Sequence, residues 1–208
     1  MKIYFIRHGE SQANITKAYN SRNNSIHSLT EKGVLQIEKC AEELKNIKFD
    51  AFYSSGLLRA RESAAIITKK VGVNFEIDSN IREIDMGIYE GKAGDYIDRL
   101  YRELLFNWIV EDEKTAKISK GENYNSVIKR FENFILKLEA KGISSNSEIN
   151  VAVLSHAGFI RTVVPAITEN LPKGYTYFNK IKNGAVAVVD LSKKVCLKWG
   201  EEEFCKEN

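Results

Sequence analysis

The chain has 208 residues, of which 43% are hydrophobic and 28% are charged, so it can bury one substantial core and does not have the composition of a disordered protein. Lysine and arginine exceed aspartate and glutamate by three, but the cations are spread along the chain, which argues against a dedicated nucleic-acid-binding protein. No apolar run approaches the roughly 20 residues of a membrane span. We therefore expect no nucleic-acid partner and no membrane partner.

The chain contains three cysteines, an odd number without the spacing of metal ligands, and no basic and apolar leader precedes the first predicted strand. We predict a cytoplasmic protein with reduced thiols at Cys40, Cys196 and Cys205. Internal repeats and Pro-rich linkers are absent, so residues 1–208 are expected to form a single domain. The sequence leaves the oligomeric state open, with a homodimer as one alternative.

The chain begins with a strand, a long polar loop and a helix. Residues 3–6 are β-prone without clean alternation, as in a central strand that is covered on both faces. Residues 7–28 are rich in Asn, Ser and Gln, which indicates a loop with a short helix. Thr30 can cap a helix over residues 31–47, where apolar residues recur three or four positions apart.

A second strand, polar turn and helix follow. The strand covers residues 51–53, and the helix carries apolar residues on one face from Ala60 to Val71, with Gly72 as its stop. Residues 75–77 predict a third strand. The same order of elements has therefore appeared twice in the first third of the chain.

The second half begins with two amphipathic helices, at 97–108 and 124–140, which we predict to form a helical insertion or cap at about 94–140. The last predicted strands cover 151–154, 185–190 and 195–199. Strands that alternate with helices predict an α/β fold with a mostly parallel sheet covered on both faces.

Polar and cationic side chains follow three of these strands directly. They are Arg7 and His8, Ser54 and Ser55 with Arg59, and Ser155 and His156. Ligands of such sheets bind beyond the carboxyl ends of the strands. A shared sheet edge would gather these side chains in space.

The gathered residues fit phosphoryl transfer. Neutral imidazole is a competent nucleophile towards phosphorus, so His8 could form a covalent intermediate. Arg7, Arg59 and a protonated His156 could stabilise the charge of the phosphoryl group. The alternative for Arg59 is an ordinary salt bridge or a solvated helix face, with nearby arginines in its place, and His27 in a polar loop is expected to be incidental.

Hydrolysis of a phosphate ester also needs an acid to protonate the departing alkoxide and a base to activate water. Glu83 is the best candidate, with Asp85 and Glu90 as rivals, and the alternative for Glu83 is a surface ion pair with Arg82. The sequence has no His-Glu-x-x-His motif, no close cluster of metal ligands and no P-loop. We therefore predict no metal and no cofactor.

Six segments in this order resemble the histidine phosphatase superfamily, the phosphoglycerate mutase-like group named for its Arg-His-Gly signature. They cover nearly the whole chain and are Arg7-His8-Gly9-Glu10-Ser11 with Asn14, Leu29-Thr30-Glu31-Lys32-Gly33, Ser54-Ser55-Gly56-Leu57-Leu58-Arg59-Ala60-Arg61, Arg82-Glu83-Ile84-Asp85-Met86-Gly87 with Glu90-Gly91, Gly121-Glu122, and Ser155-His156-Ala157-Gly158 with Ile160-Arg161.

The resemblance implies a three-layer α/β/α sandwich with a helical subdomain over the site, and an enzyme that needs no metal. It implies that His8 is the phosphorylated nucleophile, that Glu83 is the proton donor, and that the phosphate pocket is formed by Arg7, Asn14, Arg59, His156 and the backbone amide of Ala157. Gly9 is expected to let the backbone approach the phosphate. The implied partner is a small-molecule phosphate ester.

Two departures from the family pattern bear on the reaction. Residues 15–22 lack the Gly-Arg-x-Gln-Gly pattern of many relatives, and residues 82–87 lack the histidine of the Glu-Arg-His-Tyr-Gly segment of the mutases, which are also longer. We therefore predict a phosphomonoester hydrolase. The alternatives are a cofactor-dependent phosphoglycerate mutase and, in a different class, a phosphate-ester-binding module without turnover.

The leaving group is not determined by the sequence. The candidate substrates are sugar phosphates, phosphoglycerate, phosphoserine and ribazole phosphate. Aromatic residues could wall the pocket or belong to the core, namely Tyr19, Tyr89, Tyr96 and Trp108.

Overall fold

A computed structural model describes residues 1–144 and 148–204, so Cys205 lies outside the described residues. The strands are β1 (Lys2–Arg7), β2 (Ala51–Ser54), β3 (Phe75–Ile77), β4 (Asn150–Ser155), β5 (Val186–Asp190), β6 (Val195–Trp199) and β7 (Glu202–Glu203). They form one sheet in the order β3-β2-β4-β1-β5-β6-β7. The first four are mutually parallel and the last three are antiparallel to their neighbours, which confirms the mostly parallel central sheet.

The α-helices are α1 (Gln12–Thr16), α2 (Glu31–Leu44), α3 (Leu58–Val71), α4 (Asp95–Phe106), α5 (Tyr124–Ala140), α6 (Ala157–Ile167) and α7 (Tyr175–Phe178). Thr30 caps α2 as predicted, because its hydroxyl accepts a hydrogen bond from the Gly33 amide. The helix ends three residues before the predicted end. Ile47 lies in the turn that follows α2 and packs on the same core as the helix, so its position continues the apolar spacing although it is not helical.

Helices cover both faces of the sheet. Side chains on successive positions of a strand point to opposite faces, so neighbouring residues of one strand pack against different helices. On β1, Phe5 belongs to the core beneath α5 and α6, whereas Ile6 belongs to the core beneath α2 and α3. The rings of Phe5 and Phe131, the latter on α5, lie 5.9 Å apart. The three-layer α/β/α sandwich is therefore confirmed.

The two helices of the predicted insertion have different surroundings. Phe134 of α5 lies 5.2 Å from Tyr53 of β2, so α5 is part of the layer that covers the sheet. A π-helical segment (Asn107–Glu111) extends α4, and α4 contributes side chains to a cavity at the carboxyl ends of the strands. A separate helical insertion at about 94–140 stays a prediction.

The sequence did not indicate α6, which begins directly after His156. Seven of its eleven residues are buried, in one uninterrupted run that includes Gly158, Phe159 and Val163. A short buried apolar run does not show by its period whether it forms a helix or a strand, so the sequence did not identify this helix. This helix brings Arg161 to the carboxyl edge of the sheet.

Candidate active site

The predicted site residues meet at the carboxyl ends of the parallel strands. Arg7 of β1 lies in register beside Ser155 of β4, and β4 is also the neighbour of β2. A cavity of about 250 Å³ opens at this edge, and its lining includes Arg7, His8, Asn14, Arg59, Glu83 and Ala157. His156 does not line the cavity, but its buried ring lies 5.0 Å from the ring of His8.

The environment of His8 leaves Nε2 as the nitrogen with a lone pair. Nδ1 lies 2.6 Å from the carbonyl oxygen of Gly9, so Nδ1 carries the proton and donates it there. Burial lowers the pKa of His8 well below its usual value, and the nearby cations Arg59 and Arg7 lower it further. The imidazole is therefore neutral near pH 7, as a nucleophile requires.

Arg59 is held beside His8 by two hydrogen bonds and has one further donor group without a partner. Its Nε donates to Nε2 of His8 across 3.2 Å, and its Nη2 donates to the carbonyl oxygen of Asn20 across 3.0 Å. Its Nη1 is buried and has no partner among the described residues. Burial lowers the pKa of Arg59 to about 10, so the side chain keeps its charge at neutral pH.

Arg7 offers a second unpaired donor. Its Nη1 donates to the carbonyl oxygen of Ile181 across 2.7 Å, whereas its buried Nε has no partner among residues 1–144 and 148–204. Burial lowers the pKa of Arg7 below its usual value. Buried donors without acceptors cost free energy, of the order of 1–3 kcal/mol each, and cationic ones beside a cavity are suited to bind an anion.

His156 differs from the protonated form expected from the sequence. Its Nε2 lies 2.8 Å from the hydroxyl of Ser55, and its Nδ1 has no partner within the described part of the chain. Burial lowers the pKa of His156 well below its usual value, and Arg59 and His8 add to this effect. In the unliganded site the ring is neutral, because a second buried cation beside Arg59 is unfavourable.

Glu83 lies at the amino end of α6. Its carboxylate accepts hydrogen bonds from the amides of Gly158, at 3.2 Å, and of Phe159, at 3.0 Å. Such a helix end favours a negative charge. The hydroxyl of Tyr101, on α4, approaches from the other side: a Cβ atom added to Gly158 would lie 2.1 Å from that hydroxyl and 2.7 Å from Oε1 of Glu83. Glycine at 158 therefore leaves room for both groups.

The rival carboxylates are engaged elsewhere and do not line the cavity. Asp85 accepts a bidentate hydrogen bond from Arg22, at 2.8 and 2.9 Å. Glu90 accepts from the amides of Ser21 and Met86. Arg82 pairs with Glu122 at 3.2 Å and not with Glu83, so the alternative ion pair for Glu83 is not formed.

One expectation for the segment after β1 needs correction. Gly9 does not line the cavity, and a Cβ atom there would lie 2.3 Å from the carbonyl oxygen of Gly33. The glycine is required for close packing on α2, not for approach to a phosphate. Glu10 lies beside Thr30 and pairs with Lys32 at 2.9 Å.

The family assignment rests on a match of the histidine phosphatase superfamily (branch 1) to residues 3–200. The chain belongs to this superfamily. A 2,3-bisphosphoglycerate-dependent phosphoglycerate mutase of Thermoplasma acidophilum is 34% identical over 92% of this chain and 88% of its own length. An adenosylcobalamin/alpha-ribazole phosphatase of Salmonella typhimurium is 25% identical over 92% of this chain and 91% of its own. Membership and such relatives identify the chain as a phosphatase.

The fold of this histidine phosphatase is shared with a mycobacterial glucosyl-3-phosphoglycerate phosphatase, whose structure superimposes with a TM-score of 0.76. The two are 21% identical and the match covers 97% of this chain and 99% of that chain. No described helix of the phosphatase is long and apolar enough to cross a membrane. Within residues 1–144 and 148–204, no three His, Cys, Asp or Glu residues are grouped so as to hold a metal ion.

Several cavity residues of the phosphatase were not indicated by the sequence. Of the four candidate aromatics, only Tyr19 lines the cavity, where it packs 4.6 Å from Tyr101. Tyr89 and Tyr96 pack on each other, and Trp108 is buried in the core. The other residues that line the cavity without having been proposed as site residues are Ala13, Lys17, Ala18, Asn20, Asp98, Arg102, Arg161, Lys180 and Ile181. Tyr101 lies on the apolar face of α4, and only the tertiary structure shows that this face reaches the cavity.

Proposed function

We propose that this phosphatase hydrolyses a small phosphomonoester through a phosphohistidine on His8, without a metal or cofactor and in the cytoplasm. The observation that carries the proposal is the buried, neutral imidazole of His8, whose Nε2 lies among donors that lack acceptors. These are Nε of Arg7 and Nη1 of Arg59. Nδ1 of His156 joins them in the tautomer in which Nε2 accepts the hydroxyl hydrogen of Ser55. Together they supply a nucleophile and the positive environment that a phosphoryl group needs.

In the first step, Nε2 of His8 forms a bond to phosphorus and the bond from phosphorus to the ester oxygen breaks. The departing oxygen takes a proton from the carboxylic acid of Glu83, which becomes a carboxylate. Arg7, Arg59 and His156 hold the phosphoryl oxygens, aided by Asn14. The amide side chain of Asn14 is itself oriented, because its oxygen accepts from the backbone amide of Ser11 at 3.0 Å.

In the second step, water attacks the phosphorus atom and the bond to Nε2 breaks. The carboxylate of Glu83 accepts a proton from that water, so the acid is restored and His8 returns to the neutral form. Inorganic phosphate then leaves the cavity. The cycle needs no group beyond the side chains that line the cavity and His156.

The test measures both turnover and the intermediate. Release of phosphate from a panel of phosphate esters is measured in EDTA with the wild type and the His8→Ala variant. Protein denatured in alkaline buffer, in which the P–N bond of phosphohistidine survives, is examined by mass spectrometry for about 80 Da on the peptide that contains His8. We expect metal-independent turnover and a modified peptide in the wild type and neither in the variant. His27→Ala is the matched control, since His27 does not line the cavity. Full activity of His8→Ala would overturn the mechanism.

Phosphoglycerate mutase activity is the second candidate, because the mutase of Thermoplasma acidophilum is 34% identical. The absence of the mutase histidine from residues 82–87 favours hydrolysis. The two are separated by incubating 3-phosphoglycerate with the bisphosphate and following 2-phosphoglycerate and inorganic phosphate in one sample. Isomerisation faster than phosphate release would support the mutase.

A further inference from the structure

The cavity carries more positive charge than a single phosphate group can balance. Two carboxylates line it, Glu83 and Asp98, whereas six cationic side chains do: Arg7, Lys17, Arg59, Arg102, Arg161 and Lys180. His8 adds no charge because its pKa is held low. A phosphomonoester dianion would balance two of the four excess charges. The remaining excess favours a further negative group in the same cavity.

These cations are arranged in an inner and an outer set. Arg59 is buried beside His8, whereas the side chains of Lys17 and Arg102 are about half exposed, at 53% and 49%. Lys180 is exposed as well. The outer set therefore lies at the mouth of the cavity, where the part of a substrate beyond its phosphate would lie.

The outer cations are weakly engaged within the protein. Among the described residues, Lys180 has no ion-pair or hydrogen-bond partner. Lys17 contacts Asp95, whose side chain is 82% exposed, and such surface pairs contribute little. Arg102 pairs at 2.9 Å with Asp98, which also accepts a hydrogen bond from Tyr19. Lys17, Arg102 and Lys180 line the same cavity, and their donors are able to take another anion.

Lys17 also has an unusual backbone conformation. It follows α1 with φ of 53°, in the left-handed region where glycine is favoured. A lysine at such a position has a conformational cost that glycine would avoid. Its side chain lines the cavity, which gives this cost a functional reason.

We propose, resting on the proposed function, that the substrate carries a second anionic group, a carboxylate or a second phosphate, which binds to Lys17, Arg102 and Lys180. The phosphate to be cleaved lies beside His8, and the second anion lies at the mouth. The small volume of the cavity, about 250 Å³, restricts the molecule between them to a short metabolite. This assigns a substrate class to a site whose leaving group is otherwise undetermined.

The experiment compares esters that differ by one anionic group. Isothermal titration calorimetry with the His8→Ala protein measures the affinities of 3-phosphoglycerate against glycerol 3-phosphate, of phosphoserine against phosphoethanolamine, and of fructose 1,6-bisphosphate against fructose 6-phosphate. We expect a ratio of about ten or more in at least one pair, as one charge-assisted hydrogen bond produces. The first two pairs report a carboxylate and the third a second phosphate.

The same ratio is then measured after Lys17→Gly and Lys180→Ala are introduced into His8→Ala. Glycine suits the backbone at position 17, so this change removes the charge without straining the fold. The ratio should fall towards one, while Lys182→Ala, a lysine outside this cavity that contacts Glu201, leaves it unchanged. Ratios near one in every pair, or ratios that survive loss of both lysines, would overturn the subsite. Because binding is measured without turnover, a wild type that hydrolyses nothing contradicts the proposed function separately.

Discussion

Nε of Arg59 donates a hydrogen bond to Nε2 of His8 across 3.2 Å, so the proposed nucleophile is held by a cation that would also bind the phosphate. The same guanidinium is anchored on the carbonyl oxygen of Asn20 and keeps Nη1 free of partners within the described residues. Arg59 therefore orients the imidazole, keeps it neutral and offers a donor to the phosphoryl oxygens.

Replacing Arg59 with lysine should keep the positive charge but lose the set of hydrogen bonds that Arg59 makes and offers. A lysine ammonium is a point charge without the planar fork, so it cannot hold both the Asn20 carbonyl and a phosphate in the same geometry. We expect kcat/KM for phosphate-ester hydrolysis to fall about 100-fold or more, within the range seen when one preorganised donor is removed. Arg61→Lys, two positions along α3, is the control. A change below threefold in Arg59→Lys would contradict the role.

The protonation of His8 should follow its surroundings. Because burial and then Arg59 lower its pKa, the ring stays neutral as pH falls through 6.5, the usual value for histidine. Substrate phosphate titrates near pH 6 itself, so the ring is followed by NMR in the free protein. Arg59→Gln removes a cation, and the pKa of His8 should rise. A titration near 6.5 in the wild type, or no rise in the variant, would show that this electrostatic account is wrong.

The two buried histidines should also make stability depend on pH. The folded-state pKa values of His8 and His156 lie below the unfolded value of about 6.5, so the unfolded chain binds protons first as pH falls. Their contribution to the free energy of unfolding is fully present above pH 6.5. It decreases below that pH by about 1.4 kcal/mol per pH unit for each histidine, until the folded-state pKa is reached.

Urea denaturation between pH 7.5 and 5 measures this slope. His156→Gln should reduce this slope by about 1.4 kcal/mol per pH unit, which corresponds to one proton. His27→Gln should change the slope less, because the ring of His27 is mostly outside the core. The carboxyl groups with lowered pKa, such as Glu10 and Asp190, act below pH 4.5 and do not interfere. An unchanged slope in His156→Gln would contradict the neutral buried ring.

The gathering of His8, Arg59 and His156 was predictable because parallel strands end at a common sheet edge. His8 and His156 follow such strands directly, and Arg59 lies in the first turn of the helix that follows β2. The charge of His156 was not predictable, since burial and the distance to Arg59 are properties of the folded chain. The reason for Gly9 was also missed, because its constraint comes from Gly33 on another element. The local sequence thus predicted which residues form the site, but it did not predict the charge of His156.

The cations at the mouth of the cavity were even harder to predict from the sequence. Lys17, Arg102 and Lys180 come from the end of α1, from α4 and from the segment after α7, and no spacing connects them. Surface lysines and arginines are common on any helix or loop, so only their convergence distinguishes these three.

Gly158 allows a prediction about the crowded end of α6. In Gly158→Ala the new methyl group would lie 2.1 Å from the Tyr101 hydroxyl and 2.7 Å from Oε1 of Glu83, so one of these side chains must move. We expect a stability loss of about 1–3 kcal/mol and at least a tenfold fall in kcat. Adding Tyr101→Phe removes the closer clash and should recover stability. If the double variant is no more stable than Gly158→Ala, the Tyr101 hydroxyl is not the obstacle.

The role of Glu83 can be tested through the leaving group. An alkoxide needs a proton as it departs, whereas nitrophenolate is stable without one, so loss of a general acid should slow alkyl esters far more than p-nitrophenyl phosphate. In Glu83→Gln we expect single-turnover cleavage of glycerol 3-phosphate to slow about 100-fold or more and that of p-nitrophenyl phosphate to slow less than about tenfold.

The second step supplies an independent signature, because Glu83 would also be the base that activates water. With p-nitrophenyl phosphate, Glu83→Gln should release one equivalent of nitrophenolate in a burst and then turn over slowly, since the phosphohistidine is formed but hydrolysed slowly. Asp85→Asn, which loses the contact with Arg22, is the control and should show no dependence on the leaving group. Equal slowing of both esters without a burst would move the acid and base roles away from Glu83, and Asp98, the other carboxylate that lines the cavity, would be tested next.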